Sequence, residues 1–434
     1  MTSNYSNADR SCDPRQLNIG CVSMTHLGLI HAVAFAEKGF NLIGYDDNKE
    51  LVEQLQSHHL PVSEPGLDEL VNSCTSRLKF THDLNELKCC DLVFIACDVP
   101  TDDEGNSNLR VIDRLVEQVI PILSDQSFLV LLSQVPPGYT RQIKFDKLRL
   151  FYQVETLVFG RAVERAVDPE RYIVGATDPN VELPGAYLKL LSSFNCPILK
   201  MRYESAELAK ISINLFLVAS VSTTNTLAEI CENIGADWEE IAPALRLDKR
   251  IGQHAYLSPG LGIAGGNLER DLNTIIKLGQ AKSTDTGVVS SWIKNSQYRR
   301  DWVLRCLQQN VLSHIKNPLI CVLGLAYKPD THSIKNSPSI ALISQLKNYQ
   351  IKAHDPVVRS QSHDFFHVTQ EEESIKAIAD ADVVIIMTPW AEYKNLSVEL
   401  LIKHMRGKTV IDPYRTLKFP EHQRDNLSYY SLGG

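Results

Sequence analysis

Short apolar runs alternate with amphipathic stretches through the first half of the chain. Runs at 17–22, 41–45, 92–96 and 128–132 read as strands, and 31–38 reads as a helix. Strands alternating with helices predict a parallel sheet covered on both faces. The texture changes near residue 199. Residues 204–234 contain no Gly or Pro, and Leu208, Ile211, Leu215 and Val218 recur at helical spacing. A helix of that length runs about 45 Å, longer than a compact domain needs, which predicts a spine between domains or a dimer interface. From 311 the alternation resumes, with strands at 319–323, before His354, at 383–387 and at 409–411, and a helix at 338–348. The chain therefore divides into a tail (1–15), an α/β domain (16–198), a helical block (199–310) and a second α/β domain (311–434).

Composition narrows the classes. The 434 residues are 44% hydrophobic and 22% charged, which excludes disordered and fibrous chains. A net charge of −8 argues against a general nucleic-acid binder, so positive charge for any anionic ligand must be gathered locally. Apolar runs such as 381–387 fall short of the ~20 residues that span a bilayer, so no membrane partner is expected. Residues 1–15 read as a polar tail without a basic-then-apolar leader. Ten cysteines are scattered with no CxxC pair, the usage of a reducing cytoplasm.

The segment 17–48 has the layout of a dinucleotide-binding strand–turn–helix–strand unit, with Asp46 closing its second strand. A carboxylate there accepts from ribose hydroxyls and favours NAD over NADP. The phosphate fingerprint asks for Gly-x-Gly-x-x-Gly, and here Ser23, Thr25 and Gly28 hold the three positions. Gly28 preserves close helix–strand packing, whereas the branched Cβ of Thr25 crowds the space through which backbone approaches a pyrophosphate. The motif by itself leaves two readings open: a dinucleotide turn, or a structural turn that no longer holds one.

Further motifs carry a family resemblance from residue 17 to about 417. They are VPTDDEGNSNL (99–109), SQVPPGYT (133–140), ETLVFGRAVERAVDPERYIVG (155–175) and the helix ESAELAKISINLFLVASVSTTNTLAEICENIGAD (204–237). DKRIGQHAYLSPGLGIAGGNLERD (248–271), GLAYKPDTHSIKNSPS (324–339), DP (355–356) and TPWAEY (388–393) complete the set. Together these resemble the UDP-glucose/GDP-mannose dehydrogenase family, the nucleotide-sugar 6-dehydrogenases.

The resemblance implies two Rossmann-like doubly wound α/β domains joined by a long central helix, the first holding NAD and the second the nucleotide of the sugar. For NAD it points to Ser23, Met24, Thr25, His26, Leu27, Gly28, Asp46, Pro100, Thr101, Ser133 and Gln134. For the nucleotide sugar it points to Glu155, Lys210, Asn214, Arg250, Tyr256, Gly260, Gly262, Gly265 and Lys328. Lys210 and Asn214, four apart and so on one helix face, are implied to stabilise and orient the alkoxide formed as hydride leaves. Asp271 is implied to be the general base or to orient a water. Glu155 is implied to position substrate or act as acid/base, and Arg250 to reach a partner's site in a homodimer.

The chain also departs from the family. Asn267 stands where the family's nucleophilic cysteine belongs, and no cysteine occurs between Cys231 and Cys306. Oxidation of an alcohol to an acid ordinarily runs through thiolate attack on the aldehyde, and an amide cannot form that adduct. Arg270, Gln134 and Phe159 replace the family's Lys, Thr and Glu, and Ser333 and Lys335 its Asp and Arg. DPYR (412–415) fits the family's D-x-R only loosely. Three readings follow: a two-electron NAD-dependent oxidation of a nucleotide sugar, full oxidation through an aldehyde hydrate, or a non-catalytic nucleotide-sugar-binding homologue.

Overall fold

The structure is a computed structural model that describes residues 17–102, 107–359, 367–418 and 426–434; the tail expected over 1–15 lies outside them. The described chain forms two compact units that divide in sequence between Ser212 and Ile213.

The first unit is built on one sheet. Its strands are β1 (Asn18–Val22), β2 (Asn41–Tyr45), β3 (Leu78–Thr81), β4 (Leu92–Ile95), β5 (Phe128–Leu131), β6 (Leu150–Gln153), β7 (Tyr172–Ala176) and β8 (Ile198–Arg202). They lie in the order β3-β2-β1-β4-β5-β6-β7-β8, parallel throughout except for β6 against β7. The central strands β1 and β4 are buried at every position, as expected where helices cover both faces. The order 3-2-1-4-5-6 is the doubly wound arrangement, and it leaves a ligand crevice at the carboxyl ends of β1 and β4, where strand order reverses. The antiparallel β6–β7 step adds two further strands at one edge. Alternation of apolar runs did not foretell it, because the pattern reports that a strand exists and not its direction.

The second unit repeats the scheme. Strands β9 (Leu319–Leu323), β10 (Gln350–His354), β11 (Val368–Gln370), β12 (Val383–Ile386), β13 (Thr409–Ile411) and β14 (Ser428–Tyr430) run in the order β11-β10-β9-β12-β13-β14. All are parallel. Two doubly wound α/β sheets are thus present, as the sequence predicts. The helices Trp238–Leu247, Asn267–Lys282 and Gly287–Arg300 precede the second sheet.

The long helix spans Tyr203–Ile234. It is the one helix among the described residues long and apolar enough, by length and composition, to cross a membrane, although only 33% of its most apolar window is buried. This corrects the expectation of strand-length apolar runs only. Its polar groups have packed partners: Asn225 accepts the Gly260 N–H at 2.8 Å, and Glu232 accepts from Trp302 Nε1 at 2.8 Å and the Gly433 N–H at 2.9 Å. Eight described cysteines are free and most are buried.

The tightest contact lies where the first helix, His26–Glu37, leaves β1. A Cβ added at Gly28 would stand 1.8 Å from the Ser23 carbonyl oxygen and 3.1 Å from that of Ala96. Neither backbone can yield without breaking the sheet. Gly28→Ala is therefore expected to lower unfolding free energy by about 3 kcal/mol, read from urea denaturation; an unchanged midpoint would refute the close approach.

Candidate active site

In the first unit the expected cofactor residues gather at the carboxyl ends of the strands. Ser23 follows β1 with φ +75°, a left-handed conformation that a glycine would adopt without strain. Its N–H donates to the Tyr45 carbonyl at 2.8 Å. Thr25 is extended at the N-cap, and its side chain makes no capping bond to the helix. Its Oγ1 instead accepts the Asp98 N–H at 3.2 Å, so the crowding expected from this residue is directed at the loop after β4. His26 opens the helix, donates or accepts at Nε2 with Glu64 at 2.9 Å, and stacks on Phe159 with ring centroids 4.4 Å apart.

Asp46, buried at the end of β2, accepts the Met24 N–H at 2.7 Å through Oδ2 and the Asn48 N–H at 2.9 Å through Oδ1. The carboxylate therefore first holds the turn; each oxygen retains a second lone pair for a ribose hydroxyl. Ser133, fully buried after β5, donates to the Cys97 carbonyl at 2.7 Å. Thr101 bridges to Ser107, while Pro100 is exposed and Gln134 half-buried. A close-packed turn, first-turn helix N–H groups without intrahelical acceptors and a carboxylate after β2 fit a dinucleotide.

Lys210, on the long helix, pairs with Glu155 just beyond β6 at 2.7 Å, with side-chain exposures of 12% and 16%. Burial alone raises the Glu155 carboxyl, but the Lys210 ammonium and the Leu157 N–H outweigh it and hold it below the usual carboxylate range. One turn earlier, Glu207 is fully buried and accepts the Gly138 and Thr140 N–H groups, 2.5 and 2.8 Å away. Desolvation keeps its carboxyl raised despite those bonds.

In the second unit Asn214 donates to Asp271 Oδ2 at 2.5 Å, and Arg270 Nε reaches Asp271 Oδ1 at 3.3 Å. Asp271 and Arg270 are buried. Asn267 is the exposed first residue of helix Asn267–Lys282. The glycine-rich stretch before it is folded, not slack. Gly262, at φ +81°, has no room for a Cβ beside the Ser296 carbonyl, and Gly265, at φ +79°, lies against the Tyr327 ring. Lys328 lies with Nζ 5.8 Å from that ring's centroid. Arg250 is 89% exposed at its side chain and forks onto Asp248, at 3.0 and 2.6 Å, and Tyr256 is also exposed. Arg415 is committed to Asp237 and Glu239, at 3.0 and 2.9 Å.

Three residues of this neighbourhood escaped sequence reasoning: Glu64, Asp98 and Glu207. Each is a lone acid whose partners, backbone N–H groups and for Glu64 also the His26 ring, are distant in sequence, so no spacing announces it. Only Glu207 carried a signal, an acid one turn before Lys210 in an apolar helix.

Three stretches of the chain match the family profiles described as the NAD binding domain (residues 17–191), central domain (204–297) and UDP binding domain (321–419) of the UDP-glucose/GDP-mannose dehydrogenase family. The chain belongs to this family. It is 27% identical over 431 residues to UDP-glucose 6-dehydrogenase TuaD of Bacillus subtilis, covering 96% of this chain and 93% of that one. It is 28% identical over 436 residues to the UDP-glucose 6-dehydrogenase of Rickettsia bellii, covering 96% and 99%. Among solved structures, a UDP-glucose dehydrogenase from the hyperthermophilic archaeon Pyrobaculum islandicum superposes with a TM-score of 0.83 at 26% identity, covering 98% and 99%. The family assigned from the sequence motifs, its NAD-dependent oxidoreductase class and its cofactor thus hold for this member.

The Lys210–Glu155 pair yields a sign-definite prediction. A carboxyl held low in the folded state adds stability above its unfolded pKa of about 4.3, and that stability is lost as pH falls through the folded value. Lys210→Met leaves Glu155 buried without its cation and is expected to cost about 3 kcal/mol at pH 7.5. The deficit should be smaller at pH 5, because burial without the cation pushes the carboxyl up toward its neutral form. Denaturation midpoints at both pH values check this; an equal deficit at both would contradict it.

Proposed function

We propose that this family member oxidises a CH–OH group of a nucleotide sugar of the UDP-glucose type, removing one electron pair per turnover. The observation that carries the reading is Lys210, a cation largely withdrawn from water and paired with Glu155 at 2.7 Å. A folded scaffold gains little from keeping such a group, whereas a developing alkoxide needs it. NAD, when bound, supplies the hydride acceptor. Residues 23–28 receive its diphosphate, Asp46 its ribose, and Pro100, Thr101, Ser133 and Gln134 border the nicotinamide.

Lys210 and Asn214 stabilise and orient the alkoxide oxygen. Asp271, held between Asn214 and Arg270, takes up the hydroxyl proton directly or through water. Glu155 positions the sugar. Arg250, Tyr256, Gly260, Gly262, Gly265 and Lys328 bind the nucleotide sugar, the two cations meeting its diphosphate charge. The primary alcohol thereby loses a proton and a hydride and becomes an aldehyde.

The second oxidation lacks its nucleophile. Asn267 can hydrogen-bond the aldehyde but cannot add to it. Cys97, near the cofactor residues, does not stand in: it is buried, and desolvation pushes its thiol up, against the thiolate form. Counting NADH released per sugar consumed, over a panel of UDP-, GDP- and TDP-sugars, tests the reading. One NADH is expected. Two would favour oxidation through the aldehyde hydrate, and none, with tight sugar-nucleotide binding, a non-catalytic homologue. In the same assay Asn267→Cys should move the count toward two.

The enzyme further reads as a cytoplasmic homodimer without nucleic-acid or membrane partners. Phe216 and Ile234 of the long helix are 77% and 70% exposed in the single chain, and Leu227 and Ile230 extend the apolar surface. Light scattering is expected to give twice the 48.7 kDa chain mass across concentrations, with Arg250 serving the partner's substrate. A monomer would remove both statements.

A further inference from the structure

The turn after β1 already holds an anion, and the chain itself supplies it. Leu27, second residue of helix His26–Glu37, donates its N–H to Asp98 Oδ2 at 3.3 Å, and the Asp98 N–H donates to Thr25 Oγ1 at 3.2 Å. The residue after the β4 end is thus laced on both sides to the start of the first helix. First-turn N–H groups have no intrahelical partner, and the helix dipole gathers partial positive charge around them. A cofactor diphosphate is drawn to the same groups.

Two further carboxylates surround the turn, and they differ in kind from Asp98. Asp46 is 7% exposed and Glu64 5% exposed. Asp46 is held by the Met24 and Asn48 N–H groups, and Glu64 by those of Gly160 and Ala162 together with His26. Both are built into the fold. Asp98 is exposed, and its carboxylate is bonded only to Leu27 among the described residues, so it can swing into solvent. Thr25 offers the helix no side-chain cap, and Asp98 takes over that duty from another strand.

We propose that Asp98 is an affinity-determining residue for the cofactor: its carboxylate occupies the anion position at the helix start, and the diphosphate of NAD must displace it to bind. The proposal rests on the reading that NAD binds at this turn. Binding then exchanges one charge-assisted hydrogen bond for another and brings like charges together, so the net gain is smaller than at an empty turn. Removing the carboxylate strengthens cofactor binding while weakening the ligand-free fold. A residue that merely capped the helix would show the second effect alone.

Calorimetric titration of the full chain with NAD, and separately with inorganic pyrophosphate, compares the wild type with Asp98→Ala and Asp98→Asn. NAD and pyrophosphate are expected to bind Asp98→Ala about tenfold more tightly than the wild type. Asp98→Asn, which keeps an acceptor without the charge, should fall between. The ligand-free melting point of Asp98→Ala should drop by a few degrees, a readout independent of turnover. Equal or weaker NAD affinity in both variants would overturn the role of Asp98 while leaving the cofactor reading intact. No NAD binding by any of the three proteins would overturn both. Should Asp98→Ala fail to fold, the isosteric Asp98→Asn decides alone.

Discussion

In each sheet one buried aspartate ties down the turn that leaves the first strand. Asp46 follows β2 and accepts the Met24 and Asn48 N–H groups; Asp355 follows β10 and accepts those of Leu325, Ala326, Val357 and Val358. A backbone N–H in such a turn belongs to neither strand nor helix, and leaving it buried and unpaired costs about 1–3 kcal/mol. A carboxylate satisfies several at once with charge-assisted bonds. Each turn also opens left-handed, with its first N–H on the last carbonyl of the second strand. Ser23 (φ +75°) reaches Tyr45 at 2.8 Å, and Gly324 (φ +96°) reaches His354 at 2.7 Å. Gly324 adopts this shape freely. Ser23 does so against a strain of roughly 1–3 kcal/mol, which the surrounding bonds over-determine. The loss of the first fingerprint glycine therefore left the shape of the turn unchanged.

The long helix shows the same economy with charge. Glu207 meets two backbone N–H groups, Lys210 meets Glu155, Asn214 meets Asp271, and Glu232 meets Trp302 and Gly433. A charge withdrawn from water is tolerated only when it is paired and hydrogen-bonded. An apolar helix thereby carries an ammonium and an amide without unfolding around them.

The substitutions that set this member apart fall on different physical tasks. Asn267, which stands where the resemblance expects the nucleophilic cysteine, is exposed at a helix start. Arg270 keeps a cation beside Asp271. Phe159 places a ring on His26. Serine and threonine in the glycine turn leave the pairing of β1 with β2 and β4 intact.

Periodicity alone located β2, β9 and β13 to the residue and the long helix to within one, because apolar repetition is a local property of the chain. The family resemblance pointed to Lys210, Asn214 and Asp271 and to Asn267 in place of a thiol; the structure pairs Lys210 with Glu155 and Asn214 with Asp271. Strand direction at β6–β7 and the left-handed Ser23 were not legible. Nor were the partners of Glu64, Asp98 and Glu207, which lie 38 to 98 residues away in the chain. Such contacts form only when the sheet brings distant strand ends together, so composition and spacing set the architecture and the tertiary structure alone decided which acid faces which N–H.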